Sequence, residues 1–331
     1  MAESSSKKGR KMVVIAVAAV VIVAVLATLV MMNNVGKTNP TELRITYSNK
    51  VDYEPLIIAK EKGFFKDEGL NVTSLIVSGG IQSAEALATG SADLGAMGDA
   101  PGVTLMAQNQ GAKLVASYGG GEGMHRVIAW TDIQNVSDLV GKRIGVQFGS
   151  SSQGALLRLL AIHGLNQTDV TLVSLSPSDM PTAMKTRQVD AIIGSEPAPT
   201  NVQKTCGTNV TEIANSTGLG STYPLVLMAS QKLVAEKPAA ITAALRAIDR
   251  AITYIARNHD DAISICANKT GLSVNDETHC LTTLSYNLTL GTSVIDGLNS
   301  TAQFLLDNGK ITAMPDILAG TDASFLAAMK K

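Results

Sequence analysis

Three consecutive serines, Ser150, Ser151 and Ser152, follow the strand-like run Arg143–Gln147 and open the helical pattern Ser151–His163. A strand that turns at once into a helix on small hydroxylated residues presents free backbone N–H groups and hydroxyls. The helix dipole adds about half a positive charge there, and oxyanions are held without a countercharge. One serine in this position caps the helix, and three exceed that need. Phe148, Gly149, Ser150, Ser151, Ser152 and Gln153 are therefore read as an anion-binding loop, with simple capping as the plainer reading. Other loops behind strand-like runs share the small, polar character: Ser48-Asn49-Lys50 with Tyr53, Ser78-Gly79-Gly80 with Gln82, and Gly98-Asp99-Ala100-Pro101. Small residues let a solute approach the backbone closely, and ligands of open α/β sheets gather at the carboxyl edge of the strands. Glu196, beside Pro197, either holds an amine on the solute, pairs with Lys50, or is a solvated turn residue.

Enzymatic constellations fare worse. Gly149-Ser150-Ser151-Ser152-Gln153-Gly154 contains Gly-x-Ser, but the following glycine is misplaced for a nucleophile elbow. His125, His163, His259 and His279 sit in unrelated contexts. No P-loop or dinucleotide fingerprint is present, and Gly119-Gly120-Gly121-Glu122-Gly123 reads as a flexible crossover. No Cys-x-x-Cys or His-x-x-x-His spacing suggests a metal, and no cofactor is called for. Of the cysteines Cys206, Cys266 and Cys280, the last two could bridge neighbouring helices in an oxidising space, leaving Cys206 free.

The elements that must position these loops alternate. Short apolar runs over 43–48, 72–77, 92–97 and 113–118 are separated by helical patterns. The sequence then restarts with strands at 143–147, 170–175 and 189–194. A faint repeat connects Ala92-Asp93…Gly98-Asp99-Ala100-Pro101 with Val189-Asp190…Gly194-Ser195-Glu196-Pro197. Two similar α/β lobes with largely parallel sheets follow from this pattern. The strand 223–229 and helices over 239–258, 274–290, 293–308 and 324–330 cross back to complete the first lobe. Residues 42–124 and 221–331 form lobe 1, residues 125–220 form an inserted lobe 2, and the two crossings make a hinge.

The 331 residues carry a net charge of −1 and 4% aromatics, which is no nucleic-acid surface. Residues 1–11 form a basic tail, read as cytoplasmic. The apolar run 12–32 is long enough to span a bilayer and longer than a cleaved signal's apolar region, so a single-pass anchor is expected. The linker 33–41 then leads to an extracytoplasmic body, in keeping with the positive-inside rule. Sequons at Asn71, Asn135, Asn166, Asn209, Asn215, Asn268, Asn287 and Asn299 all follow that run, as glycosylation outside the cell requires; a Thr- and Asn-rich surface is the plainer reading.

From about Leu43 to Leu318 the chain resembles the nitrate/sulfonate/taurine family of solute-binding proteins for ABC importers. The segments that carry the resemblance are YSNKVDYEPLIIAKEKGFFKDEGLNV, ALATGSADLGAMGDAP, GKRIGVQFGSSSQGALLRLLAIHGL and KTRQVDAIIGSEP. The resemblance implies a type II periplasmic-binding fold, a solute between the lobes, an oxyanion on Gly149–Ser152, and no catalysis. It also implies delivery to ABC permease and ATPase subunits. The anchor and the sequons make the chain look like an archaeal surface version. Scarce aromatics in the loops suggest a small, polar solute and the serine loop an anionic one, with a pyrimidine or thiamin-precursor-like heterocycle as the alternative. A thiamin-pyrimidine synthase shares the fold, but its Cys-rich motif is absent here.

Overall fold

The structure, a computed structural model, describes residues 40–108 and 111–329. The basic tail, the apolar run 12–32 and the linker up to residue 39 lie outside the described residues. Among the described residues no helix is long and apolar enough to cross a membrane.

The chain opens with β1 (Thr41–Tyr47), whose alternation buries Leu43, Ile45 and Tyr47. It continues through α1 (Glu54–Glu61), α2 (Phe64–Asp67), β2 (Leu70–Ile76), α3 (Gly80–Ala88), β3 (Leu94–Met97), α4 (Asp99–Ala107) and β4 (Ala112–Gly120). Next come β5 (Arg126–Trp130), β6 (Arg143–Val146), α5 (Ser151–Ile162), β7 (Thr171–Ser174), α6 (Met180–Lys185), β8 (Ala191–Gly194), α7 (Ala198–Cys206) and β9 (Val210–Asn215). The last stretch holds β10 (Leu225–Ser230), α8 (Gln231–Glu236), α9 (Pro238–Arg257), α10 (His259–Thr270), α11 (Val274–Cys280), β11 (Ser285–Thr289), α12 (Thr292–Asp307) and α13 (Ser324–Met329).

Two sheets result. The first runs β11-β4-β10-β3-β1-β2 and the second β7-β6-β8-β5-β9. In each, a parallel trio is extended by antiparallel strands: β10 lies antiparallel to β3 and β4, and β5 antiparallel to β8 and β9. The sheets are thus mixed rather than largely parallel, because the strands that return from the other sheet enter in the opposite direction.

The faint sequence repeat has a structural counterpart. Arg44 in β1 donates its backbone N–H and its guanidinium to Asp93 ahead of β3, at 2.7 to 3.0 Å. Arg143 in β6 does the same to Asp190 ahead of β8, at 2.8 to 3.0 Å. Both pairs are partly exposed, so each contributes at most about 1 kcal/mol. Their value is in register: each pins the same two strands of its sheet at the end away from the loops.

Segments 121–125 and 216–224 carry the chain between the sheets and lie side by side. Ser216 N donates to His125 O at 2.9 Å, His125 N donates to Ser216 Oγ at 3.1 Å, and Gly121 N donates to Thr222 O at 2.9 Å. The glycine run at the first crossing is not slack. A Cβ on Gly121 would stand 1.9 Å from Thr283 O, and one on Gly119 would stand 2.5 Å from Ser285 O. Glycine is needed so that β11 and its preceding turn can pack backbone to backbone on the end of β4.

The C-terminal third departs from the sequence reading in two places. The helix expected over 274–290 ends at Cys280, and β11 pairs with β4 instead. The alternating Ser285–Thr289 segment, with Tyr286 and Leu288 turned inward, suits an edge strand. Helix α10 lies between two expected helices, where the sequence pattern gives no element. The expected Cys266–Cys280 bridge is absent: all three cysteines are free and buried. Cys280 lies instead against Thr200 of α7, with Sγ 3.6 Å from its hydroxyl, while Cys266 meets Glu54 and Glu277. Replacing Gly121 with Ala is expected to lower stability by about 1–3 kcal/mol, the usual cost of overpacking. A denaturant titration checks this, and an unchanged midpoint would mean that the β4–β11 contact is loose.

Candidate functional site

The cleft between the sheets forms around the first turns of several helices. A cavity of ≈ 40 Å³ is lined by Lys50, Asp52 and Tyr53 ahead of α1, by Gly80 and Ile81 of α3, and by Gly98 and Pro101 at α4. Ser150, Ser151 and Ser152 at α5 complete the ring with Met124, His125, Ser195, Tyr223 and Leu225. By water-sized volume this is room for about three or four waters, enough for a compact head group. The amides of the first turn of a helix have no intrahelical acceptor. Here the first turns of α3, α4 and α5 converge.

The three serines divide their work. Ser150 is the cap: its Oγ accepts from Gln153 N at 3.3 Å and donates to Gln147 O at 2.6 Å. Ser151 reaches across the cleft, where its Oγ accepts a weak 3.4 Å bond from Ala100 N of α4. A Cβ on Gly98 would stand 2.5 Å from that oxygen, so a larger residue at 98 would displace the Ser151 hydroxyl from its place across the cleft. Ser152 lies 3.0 Å from Nδ1 of His125.

Lys50 provides the cleft's cation. It donates to Ser195 Oγ of the opposite sheet at 3.1 Å and stands 3.8 Å from Asp52 Oδ2, to which Ser195 also donates at 3.0 Å. His125 is 2% exposed and stacks edge-on against Tyr223, with ring centroids 4.7 Å apart. Burial, and after it the charge of Lys50, pushes the imidazole down to about 3, so it is neutral in the folded protein. Tyr223 holds φ +44, in the left-handed region that a bulky side chain rarely adopts, right where the second crossing enters β10. Burial raises its phenol, and burial followed by the charge of Asp52 raises Tyr53. His125 Nε2, Tyr223 OH and Asp52 Oδ1 are buried without a hydrogen-bond partner.

The sequence-derived residues are placed unevenly. Tyr53, Gly80, Gly98, Ser150, Ser151 and Ser152 line the cavity. Gly79 is adjacent, where an added Cβ would meet Gln147 of the other lobe at 3.3 Å, and Gln82 holds a buried, unpartnered Oε1. Ser48 is buried behind the loop, Asn49 is half-buried and Ser78 is exposed. Phe148 points to solvent, and Gln153 accepts from Gly149 N at 2.7 Å, bracing the loop rather than facing the cavity. Asp99 turns away to accept from Thr301 of α12 at 2.6 Å. Glu196 neither faces the cleft nor meets Lys50. It is buried against Arg126, which also binds Glu212 and Gln203, and it accepts from Thr200 N at 3.3 Å. The negative partner of Lys50 is Asp52.

Asp52, Ser195, His125 and Tyr223 were not singled out from sequence. His125 and Tyr223 lie within the two crossings, and that position is the available signal. Ser152 and His125 resemble a nucleophile and base, but Nε2 carries no orienting acid and the suppressed basicity makes a poor general base.

Residues 50–262 match the family described as NMT1/THI5 like. The chain belongs to that family. This NMT1/THI5-like chain is 30% identical over 211 residues to a putative binding protein of Brucella abortus, matching 63% of its own length. It spans 65% of the length of that relative. It is 27% identical over 290 residues to the taurine-binding periplasmic protein of Escherichia coli, covering 82% of this chain and 89% of that one. The alkanesulfonate-binding protein SsuA of Xanthomonas axonopodis, bound to MOPS, superposes with a TM-score of 0.78 at 26% identity, covering 86% of this chain and 99% of that chain. The two-sheet architecture is therefore the periplasmic-binding-protein fold.

The depressed basicity of His125 has a pH consequence. Between about 6.5 and about 3 the unfolded chain binds a proton at this position that the folded chain does not. Stability should therefore fall as pH drops through that window, by roughly 1 kcal/mol per pH unit from this group. Denaturant titrations of the wild type and His125→Gln between pH 4 and 6.5 check it. The variant is expected to show the shallower slope, and equal slopes would refute a neutral buried imidazole.

Proposed function

We propose that this NMT1/THI5-like protein is an extracytoplasmic solute-binding protein that closes its two lobes on a small sulfonate-class anion and delivers it to an ABC permease and its ATPase. The observation that carries the reading is the convergence of three helix N-termini, two serine hydroxyls and the Lys50 ammonium on one small cavity. Preorganised amides and hydroxyls suit the spread charge of a sulfonate, and Lys50 adds long-range attraction. The names of the taurine- and alkanesulfonate-binding relatives support the same class. The buried free oxygen of Asp52 favours a solute that carries an ammonium beside its anion, as taurine does.

In this reading the crossings at 121–125 and 216–224 act as the hinge between residues 42–124 with 221–331 and residues 125–220. The apolar run 12–32 tethers the protein to the membrane with its body outside. Of the eight sequon asparagines, seven are exposed and Asn215 is half-buried, which fits an outward-facing body open to glycosylation. Solute is bound without turnover.

A thermal-shift panel of the full-length chain tests this with taurine, ethanesulfonate, nitrate, sulfate, phosphonates and a neutral aminopyrimidine. A solute at about 100 times its dissociation constant should stabilise the protein by ~2.7 kcal/mol, a shift of a few degrees. A sulfonate response that disappears in Ser151→Leu is expected, with Asp52→Asn erasing the preference for taurine over ethanesulfonate. Stabilisation by the pyrimidine alone would replace the anion reading with the heterocycle.

A further inference from the structure

A second group of ionisable side chains lies behind the cleft loop. Glu54 opens α1, Cys266 lies in α10 and Glu277 in α11, and one ligand atom from each falls within 4.8 Å of the others. All three residues are fully buried. Both carboxylate oxygens of Glu54 and Oε1 of Glu277 lack a hydrogen-bond partner, while Oε2 of Glu277 accepts from Thr270 at 2.6 Å. The neighbouring Tyr286 donates its hydroxyl to Val51 O at 2.6 Å. Among the described residues neither glutamate has a salt-bridge partner. Burial, and then Glu277, holds the Glu54 carboxyl well above the usual carboxylate range, and burial with both glutamates raises the Cys266 thiol. Buried acids without partners are costly, and the usual resolutions are a proton, a basic side chain or a metal ion.

We propose that Glu54, Cys266 and Glu277 form a structural site for a divalent metal ion of the zinc type. One sulfur and two carboxylate oxygens suit zinc, which takes both donor types, and suit magnesium or calcium poorly, since those ions take oxygen ligands. Binding releases the Cys266 thiol proton and the Glu54 carboxyl proton to solvent, leaving a thiolate and two carboxylates around the ion. Three protein ligands leave one position for water. The sequence offers no spacing to reveal this site, because Glu54 is more than two hundred residues from its partners.

The location gives the ion a task. Lys50, Asp52 and Tyr53 of the cavity lie within four residues of Glu54, so the ion would fix the far end of the solute loop. Helix α11 also touches the second lobe, through Asp276 with Lys204 and Cys280 with Thr200. Zinc would therefore tie the solute loop to the helix that meets the opposite lobe.

The test uses the full-length chain, stripped with a chelator and titrated with Co²⁺ and then Zn²⁺. One Co²⁺ per chain should give a thiolate-to-cobalt charge-transfer band, and Zn²⁺ should displace it and raise the thermal midpoint by several degrees. Cys266→Ser should abolish the band, and Glu277→Gln should weaken Zn²⁺ at least ~10-fold, since even outer-shell changes cost that much. Metal affinity should rise with pH as the two protons become easier to release. No band and no thermal shift in the wild type would overturn the site. Zn²⁺ binding unchanged in both variants would overturn it equally, by placing the metal elsewhere. The wild-type spectrum decides the matter even if a variant fails to fold.

Discussion

The Lys50 ammonium, held between Asp52 on its own lobe and Ser195 on the other, is the contact on which the cleft depends. Its side chain is only 13% exposed, so the charge has lost most of its water and requires these partners. Asp52 supplies countercharge from two residues away, and Ser195 donates to Asp52 while accepting from Lys50. The hydroxyl therefore passes the interaction from lobe to lobe. The same charge helps keep His125 neutral, and a neutral ring packs against Tyr223 and Ser152 without adding charge to a small cavity. Helix N-termini then add positive potential in a form that needs no counterion.

The rest of the fold serves to aim those termini. Each sheet carries a parallel trio with helices rising from the carboxyl ends of its strands, and each trio is pinned by an Arg–Asp pair at its opposite end. Because the lobes share this plan, their loop edges face one another when the chain crosses over. The crossings are closely bonded to each other, and the glycines at the first one admit β11 against β4. Close approaches across the cleft, Gly98 to Ser151 and Gly79 to Gln147, occur where an added side chain would have to displace a polar group of the other lobe.

Much of this was legible in the sequence because periodicity and loop chemistry are local. The alternating elements, the Ser150–Ser152 loop, Gly98 and the Ala92-Asp93 and Val189-Asp190 repeat all lie in short windows. What escaped notice depends on distant pairings. β11 is a five-residue edge strand whose partner lies in β4. Glu196 looks like a cleft residue from its place after a strand, but Arg126, seventy residues earlier, sets its position. Asp52 and Ser195 acquire meaning only once Lys50 is seen to cross the cleft. Cys266 and Cys280 are close in sequence, yet one faces α1 and the other α7.

The central claim is that solute and lobe closure are one event centred on the charge of Lys50. Small-angle X-ray scattering of the full-length chain, with and without a saturating sulfonate identified by thermal shift, tests it most directly. The expected result is a smaller radius of gyration with solute, absent in Lys50→Met at the same concentration. An unchanged radius in the wild type despite saturation, or compaction that persists in Lys50→Met, would contradict it.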